Sequence, residues 1–187
     1  HKDPWKMRPI VCCAGTTLNC LSRWLDYHFQ RLKQFIPSYI KDGEALLNDL
    51  DNLGQLPTNA RLFTADANSM YTNINTTHAI TVISEWLDNL PLDEEHGLAD
   101  FPLEAVKSAM SFVMKYNIFE FGDLYFHQLI GTAMGTSCAC LWATIYFAVH
   151  EEFLLTKYSI ELLRYKRFID DMFGIWNGSD ERFAEFQ

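Results

Sequence analysis

The amino-acid sequence predicts an α+β fold, with helices packed on one face of an antiparallel sheet, and three observations carry that expectation. Two stretches, Leu62-Phe63-Thr64-Ala65-Asp66 and Phe168-Ile169-Asp170-Asp171-Met172-Phe173-Gly174-Ile175-Trp176, have the aromatic and β-branched content of strands, with acids at the strand ends. Around them, apolar residues recur at helical spacing. The resulting order is strand, helix, helix, hairpin, helix, hairpin, helix, which collects helices on one side of antiparallel strands. The 187 residues make one domain or two small lobes, long enough to bury a core.

The opening Lys2-Asp3-Pro4-Trp5-Lys6-Met7-Arg8-Pro9-Ile10-Val11 reads as an extended segment and then a strand, punctuated by its prolines. From Thr17 onward, Leu18, Leu21, Leu25, Phe29, Leu32 and Ile36 mark one helical face, and Pro37 ends it. A short helix over 44–50 follows, and Gly54 and Pro57 break the chain before the strand that ends at Asp66. After Tyr71 the backbone turns through 72–75, and Thr76 or Thr77 caps a helix to about residue 89. An acidic connection leads to Pro102, which opens a helix to about residue 116. Residues 118–128 alternate around Gly122-Asp123 as a hairpin does. The glycine-bearing loop 131–136 precedes a long amphipathic helix over 137–158, and Ser179 caps a final helix.

Chemistry concentrates on three carboxylates. A lone Asp-Asp pair is usually an exposed turn, but Asp170 and Asp171 lie between strand-forming residues, where unpaired acids are costly to bury. At the tip of a tight hairpin both can face one point, and Asp66 ends a strand in matching context. Three carboxylates from two strand ends make a hard oxygen site suited to Mg²⁺ or Mn²⁺. Such a site can hold two ions for in-line displacement at phosphorus. The expectation is that Asp66, Asp170 and Asp171 converge to roughly 4–6 Å, the reach of shared cation coordination.

Asp66 with an aromatic five residues on, then Gly131-Thr132-Ala133-Met134-Gly135-Thr136, then Phe168-Ile169-Asp170-Asp171, resemble in order motifs A, B and C of reverse transcriptases. The wording Tyr71-Thr72-Asn73-Ile74, Gly-Thr-Ala-Met-Gly-Thr and Lys166-Arg167-Phe168-Ile169-Asp170-Asp171 is most similar to Penelope-like retroelements, and the resemblance covers nearly the whole chain. It implies a polymerase right-hand palm over about 61–187 and partial fingers with connecting helices over about 1–60, without a thumb. It implies that Asp66 and Asp170 bridge two Mg²⁺ ions (Mn²⁺ also serving), with Asp171 completing the charge and the Ala67 carbonyl as a backbone ligand. The dNTP would meet Lys2 and Arg8 of the fingers, the steric gate Tyr71, and Met134 and Gly135 of the loop. Partners would be an RNA template, a DNA primer and dNTPs, at an intracellular, nuclear site of action rather than a secreted one. Where relatives often carry a proline-containing segment after motif B, this chain has Cys138-Ala139-Cys140-Leu141. No acid follows Asp66 until Glu85, which favours dNTPs over NTPs and disfavours an RNA-directed RNA polymerase. A retroelement-derived domain kept only for nucleic-acid binding or assembly is the other alternative.

Composition bounds these readings. The net charge of −9 argues against a simple nucleic-acid binder, whose footprint should be basic. Asp93-Glu94-Glu95 and Glu151-Glu152 read as solvated surface, and His127 as a surface strand residue. Five cysteines without CxxC spacing argue against a disulfide scaffold or zinc site and are expected as buried free thiols. The loop lacks the lysine of a P-loop. No apolar run reaches the roughly 18 residues of a spanning helix, and the charged start without Met is expected of a piece from a longer reading frame.

Overall fold

The computed structural model describes residues 10–186, which form two compact units, each discontinuous in sequence. One unit comprises 10–32 and 69–143; the other comprises 33–68 and 144–186. Both mix helices with small antiparallel sheets, so the α+β expectation holds, with two separate sheets in place of one.

The second unit is built on a three-stranded sheet. Strands β1 (Arg61–Asp66), β4 (Leu162–Phe168) and β5 (Asp171–Trp176) pair in the order β1-β5-β4, all antiparallel. The central strand is the one that follows the Asp-Asp turn, so both neighbours hold it in register. Gly174 lies opposite Phe63, and a Cβ at Gly174 would stand 2.2 Å from that ring. The ring therefore lies against bare backbone, and it meets Phe183 and Phe186 of the last helix edge to face. Tyr158, Leu162 and Trp176 form the buried centre of this layer. Helix α2 (Gly43–Asp51) is capped by Asp42, which accepts from the Ala45 amide at 2.8 Å, and Asp49 pairs with Arg164 of β4. Helix α7 (Asp180–Phe186) starts where expected, with Ser179 accepting from the Arg182 amide.

The first unit is mainly helical, with one β-hairpin. The apolar face of α1 (Asn19–Leu32) buries Leu25, Phe29 and Leu32, and α1 packs on α5 (Leu103–Lys115), which also packs on α4 (Thr76–Asp88). The cap of α4 is Asn75 rather than either threonine: its side chain accepts from the His78 amide at 3.0 Å. Tyr71 lies in a one-turn helix α3 (Met70–Asn73). The hairpin of β2 (Ile118–Phe121) and β3 (Leu124–His127) turns at Gly122 with φ of 64° and leaves Phe121, Leu124 and Tyr125 exposed.

Three further expectations are corrected. Helix α6 (Ala139–Lys157) is buried all round through its first turns rather than amphipathic, because Leu141, Trp142, Ala143, Thr144 and Ile145 are consecutive and all inside. Only Cys138 among the five thiols is buried; Cys12 and Cys20 are exposed. Glu152 is surface as expected, but Glu151 is 5% exposed and takes part in a buried network. Among the described residues no helix is long and apolar enough to cross a membrane.

Candidate active site

The sheet brings the acids together by register. Asp66 and Asp171 are Cα partners in the β1–β5 ladder, so their side chains leave one face with Cβ atoms on the order of 5 Å apart. Phe168 and Asp171 close the β4–β5 hairpin, leaving Ile169-Asp170 as a two-residue loop. The Ala67 amide donates to the Asp170 carbonyl at 2.8 Å and ties the end of β1 to that loop. Four expected site residues, Asp66, Ala67, Asp170 and Asp171, therefore meet at one end of the sheet.

The loop is strained. Ile169 has φ of 56°, and Ser69 is the one other described non-glycine residue with positive φ. Positive φ at the first loop position alone is what a type II′ turn requires, normally met by glycine. A β-branched residue there costs about 1–3 kcal/mol and persists only when its surroundings dictate it. Ile169 thus belongs to the turn, not to the strand that its composition suggests.

The side chains do not yet form the expected ligand set. Among the described residues no three His, Cys, Asp or Glu side chains stand close enough to hold a metal ion. The β1–β5 register and the Ala67–Asp170 hydrogen bond bring the backbones of the three acids to one end of the sheet. Asp66 and Asp171 are exposed, and like charges directly opposite in a sheet repel. Among the described residues no ion pair joins any of the three to Lys, Arg or His. Hard oxygen donors without an ion-pair partner among the described residues fit a divalent cation.

Beneath the turn lies a buried ion pair that the sequence reading missed. Arg167 is 1% exposed, and its Nε donates to Glu151 Oε1 at 2.5 Å. One terminal nitrogen donates to the Ile169 carbonyl at 2.9 Å; the other donates to the Thr144 carbonyl at 2.9 Å and to Glu151 Oε2 at 3.1 Å. Ser38 and Tyr165 hydroxyls donate to the two Glu151 oxygens at 2.6 and 2.8 Å. The Arg167 backbone is held as well, its amide donating to the Ser38 carbonyl and its carbonyl accepting from the Ile40 amide. Burial, with the Glu151 carboxylate beside it, pushes the Tyr165 phenol well above its usual range. A signal was present in the sequence: Glu151 is seven residues after Thr144, two turns along one helix face.

In the other unit, Gly131 has φ of 75°, and a Cβ there would lie 2.2 Å from the Tyr71 carbonyl oxygen. That carbonyl accepts from the Thr132 amide at 2.8 Å, and the Ile74 carbonyl accepts from the Gly131 amide at 2.7 Å. The loop thus grips the backbone of α3, and Tyr71 itself is half-buried. Gly135, with φ of 123°, admits the Val11 carbonyl, which a Cβ would meet at 1.9 Å; the Met134 carbonyl accepts from the Val11 amide. Cys138 follows the loop, its amide donating to Ser22 Oγ and its thiol pushed up to about 12 by burial, which makes it inert. Lys2 and Arg8 lie outside the described residues.

No protein-family model matches the sequence, nor does any curated protein match it by sequence. The fold is similar to solved structures of telomerase. Apo telomerase from Candida tropicalis superposes with a TM-score of 0.63 at 13% identity, over 90% of this chain and 32% of that one. Telomerase from Candida albicans, in complex with the TWJ fragment of telomeric RNA, gives a TM-score of 0.63 at 12% identity, over 90% and 32%. A C. tropicalis form truncated from the C-terminal domain gives 0.61 at 13%, over 93% and 37%. The chain thus spans about a third of the length of these neighbours, and the likeness is one of fold.

Proposed function

We propose that this chain carries the catalytic palm, with part of the fingers, of an RNA-directed DNA polymerase of Penelope-like type, acting in the nucleus on an RNA template, a DNA primer and dNTPs. The observation that carries the reading is the register of β1 and β5. It sets Asp66 opposite Asp171, with Asp170 in the adjoining turn. The likeness of fold to telomerase supports it independently. Two bound Mg²⁺ ions would supply Lewis acidity at the primer 3′-hydroxyl and charge for the leaving pyrophosphate. Asp66, Asp170, Asp171 and the Ala67 carbonyl are the groups that would hold them. The chain's own work is positioning, which with charge stabilisation supplies most of the catalysis of phosphoryl transfer. Tyr71, braced by Gly131 and Thr132, would exclude a 2′-hydroxyl, and Gly135 and Met134 would lie against the incoming nucleotide.

The test is primer extension on an RNA template by the full-length protein. Asp170→Asn should lower the rate by at least about two orders of magnitude, and undiminished synthesis would remove Asp170 from the site. Tyr71→Ala should raise ribonucleotide incorporation; unchanged selectivity would end the gate assignment. A second reading, a catalytically silent nucleic-acid-binding or assembly domain, is favoured by the open carboxylate set among the described residues. It predicts template binding with no divalent-dependent extension.

A further inference from the structure

We propose that Arg167 is a positioning residue for the acid-bearing turn, and that Glu151 acts through it. This rests on the polymerase reading for its catalytic consequence, but not for its structural one. Asp170 is the second residue of a two-residue loop, so its direction follows from the backbone of Ile169. That backbone is held in a conformation that isoleucine disfavours, with φ of 56°. The hydrogen bond from Arg167 to the Ile169 carbonyl, at 2.9 Å, falls on the strained residue itself. The guanidinium is in turn fixed at its remaining nitrogens by Glu151 and the Thr144 carbonyl. Glu151 is fixed by Ser38 and Tyr165. A planar fork satisfies these directions at once; an ammonium, a point charge on a flexible stem, cannot. The chain runs from helix α6 through the ion pair to the turn, and from Asp170 through its carbonyl to the Ala67 amide at the end of β1.

A merely structural ion pair can be replaced by apolar residues of similar volume with little loss of stability. The positioning role cannot be replaced in that way. The experiment therefore uses the double variant Arg167→Met/Glu151→Leu and, should that variant not fold, Arg167→Lys. Two readouts are taken on the full-length protein. Hydrogen exchange at the Ala67 amide reports the turn, with a core amide such as Ile175 as the internal control. Extension rates over a range of dNTP concentrations report chemistry as kcat and nucleotide use as KM.

The double variant should exchange Ala67 at least about tenfold faster while Ile175 is unchanged, and should lose at least about tenfold in kcat at unchanged KM for dNTP. Arg167→Lys should fall between it and the wild type. Unchanged Ala67 exchange in a folded variant would overturn the proposal, whatever the extension assay gives. Faster Ala67 exchange with full kcat would reduce Arg167 to a structural residue and overturn it too. A wild-type protein that extends no primer with Mg²⁺ counts against the polymerase reading, and the exchange arm then decides the clamp alone.

Discussion

Two turns carry expected site residues, and they solve the same backbone problem in opposite ways. The loop 131–136 reaches positive φ at Gly131 and Gly135, where no Cβ opposes it, and neutral backbone hydrogen bonds to α3 and Val11 hold it. The β4–β5 turn reaches positive φ at Ile169 and depends on a buried ion pair to keep it there. The first turn is easy to form and intolerant of any side chain. The second is strained but tolerates side chains, and its stability resides in a charge network away from the turn. The difference teaches that a loop's vulnerability lies in whatever compensates its backbone, and that need not be the loop.

The largest expected effect is at that network. Glu151→Leu alone leaves a buried guanidinium without its counter-charge, and a loss of about 3–5 kcal/mol in chemical denaturation is expected. A loss below about 1 kcal/mol would mean that Arg167 finds other partners and that the contrast is overstated. Next come the glycines. Gly131→Ala and Gly135→Ala each combine unfavourable φ with a backbone clash, and each should lose about 3 kcal/mol by the same measurement. Ile169→Gly should move the other way, gaining about 0.5–1 kcal/mol in thermal or chemical unfolding, because it relieves positive φ. Opposite signs at Gly135 and Ile169 sharpen the comparison; the same sign breaks it.

The smallest effect is a pH dependence in the unit that carries the glycine loop. Burial, with the Arg31 charge beside it, holds the His28 imidazole below its usual 6.5. The unfolded chain then binds the extra proton first, so this contribution is full above pH 6.5 and is lost as pH falls through 6.5 towards the lowered folded value. Equilibrium unfolding from pH 7.5 to 5 should show that slope, and His28→Phe should flatten it.

Much of the candidate site is legible in the sequence, because its signals are local. Asp66 and the Asp170-Asp171 pair stood at predicted strand ends, and Gly131 and Gly135 marked a loop where backbone approaches closely. The cap at Ser179 and the Gly122 hairpin are local rules of the same kind. Glu151 was misread because an adjacent acid, Glu152, made the pair look solvated, and its partner lies on a different element. Ile169 was misread because β-branching signals a strand regardless of the φ that a tight turn imposes.

Sequence alone determined the order of the main helices and strands and which residues supply carboxylate or glycine, since these follow from side-chain chemistry within a few residues. Tertiary structure decided what depends on pairing between distant segments. It set β5 between β1 and β4, faced Asp66 with Asp171, and sank Arg167 onto Glu151. Register and burial are properties of two segments at once, and no single stretch of chain encodes them.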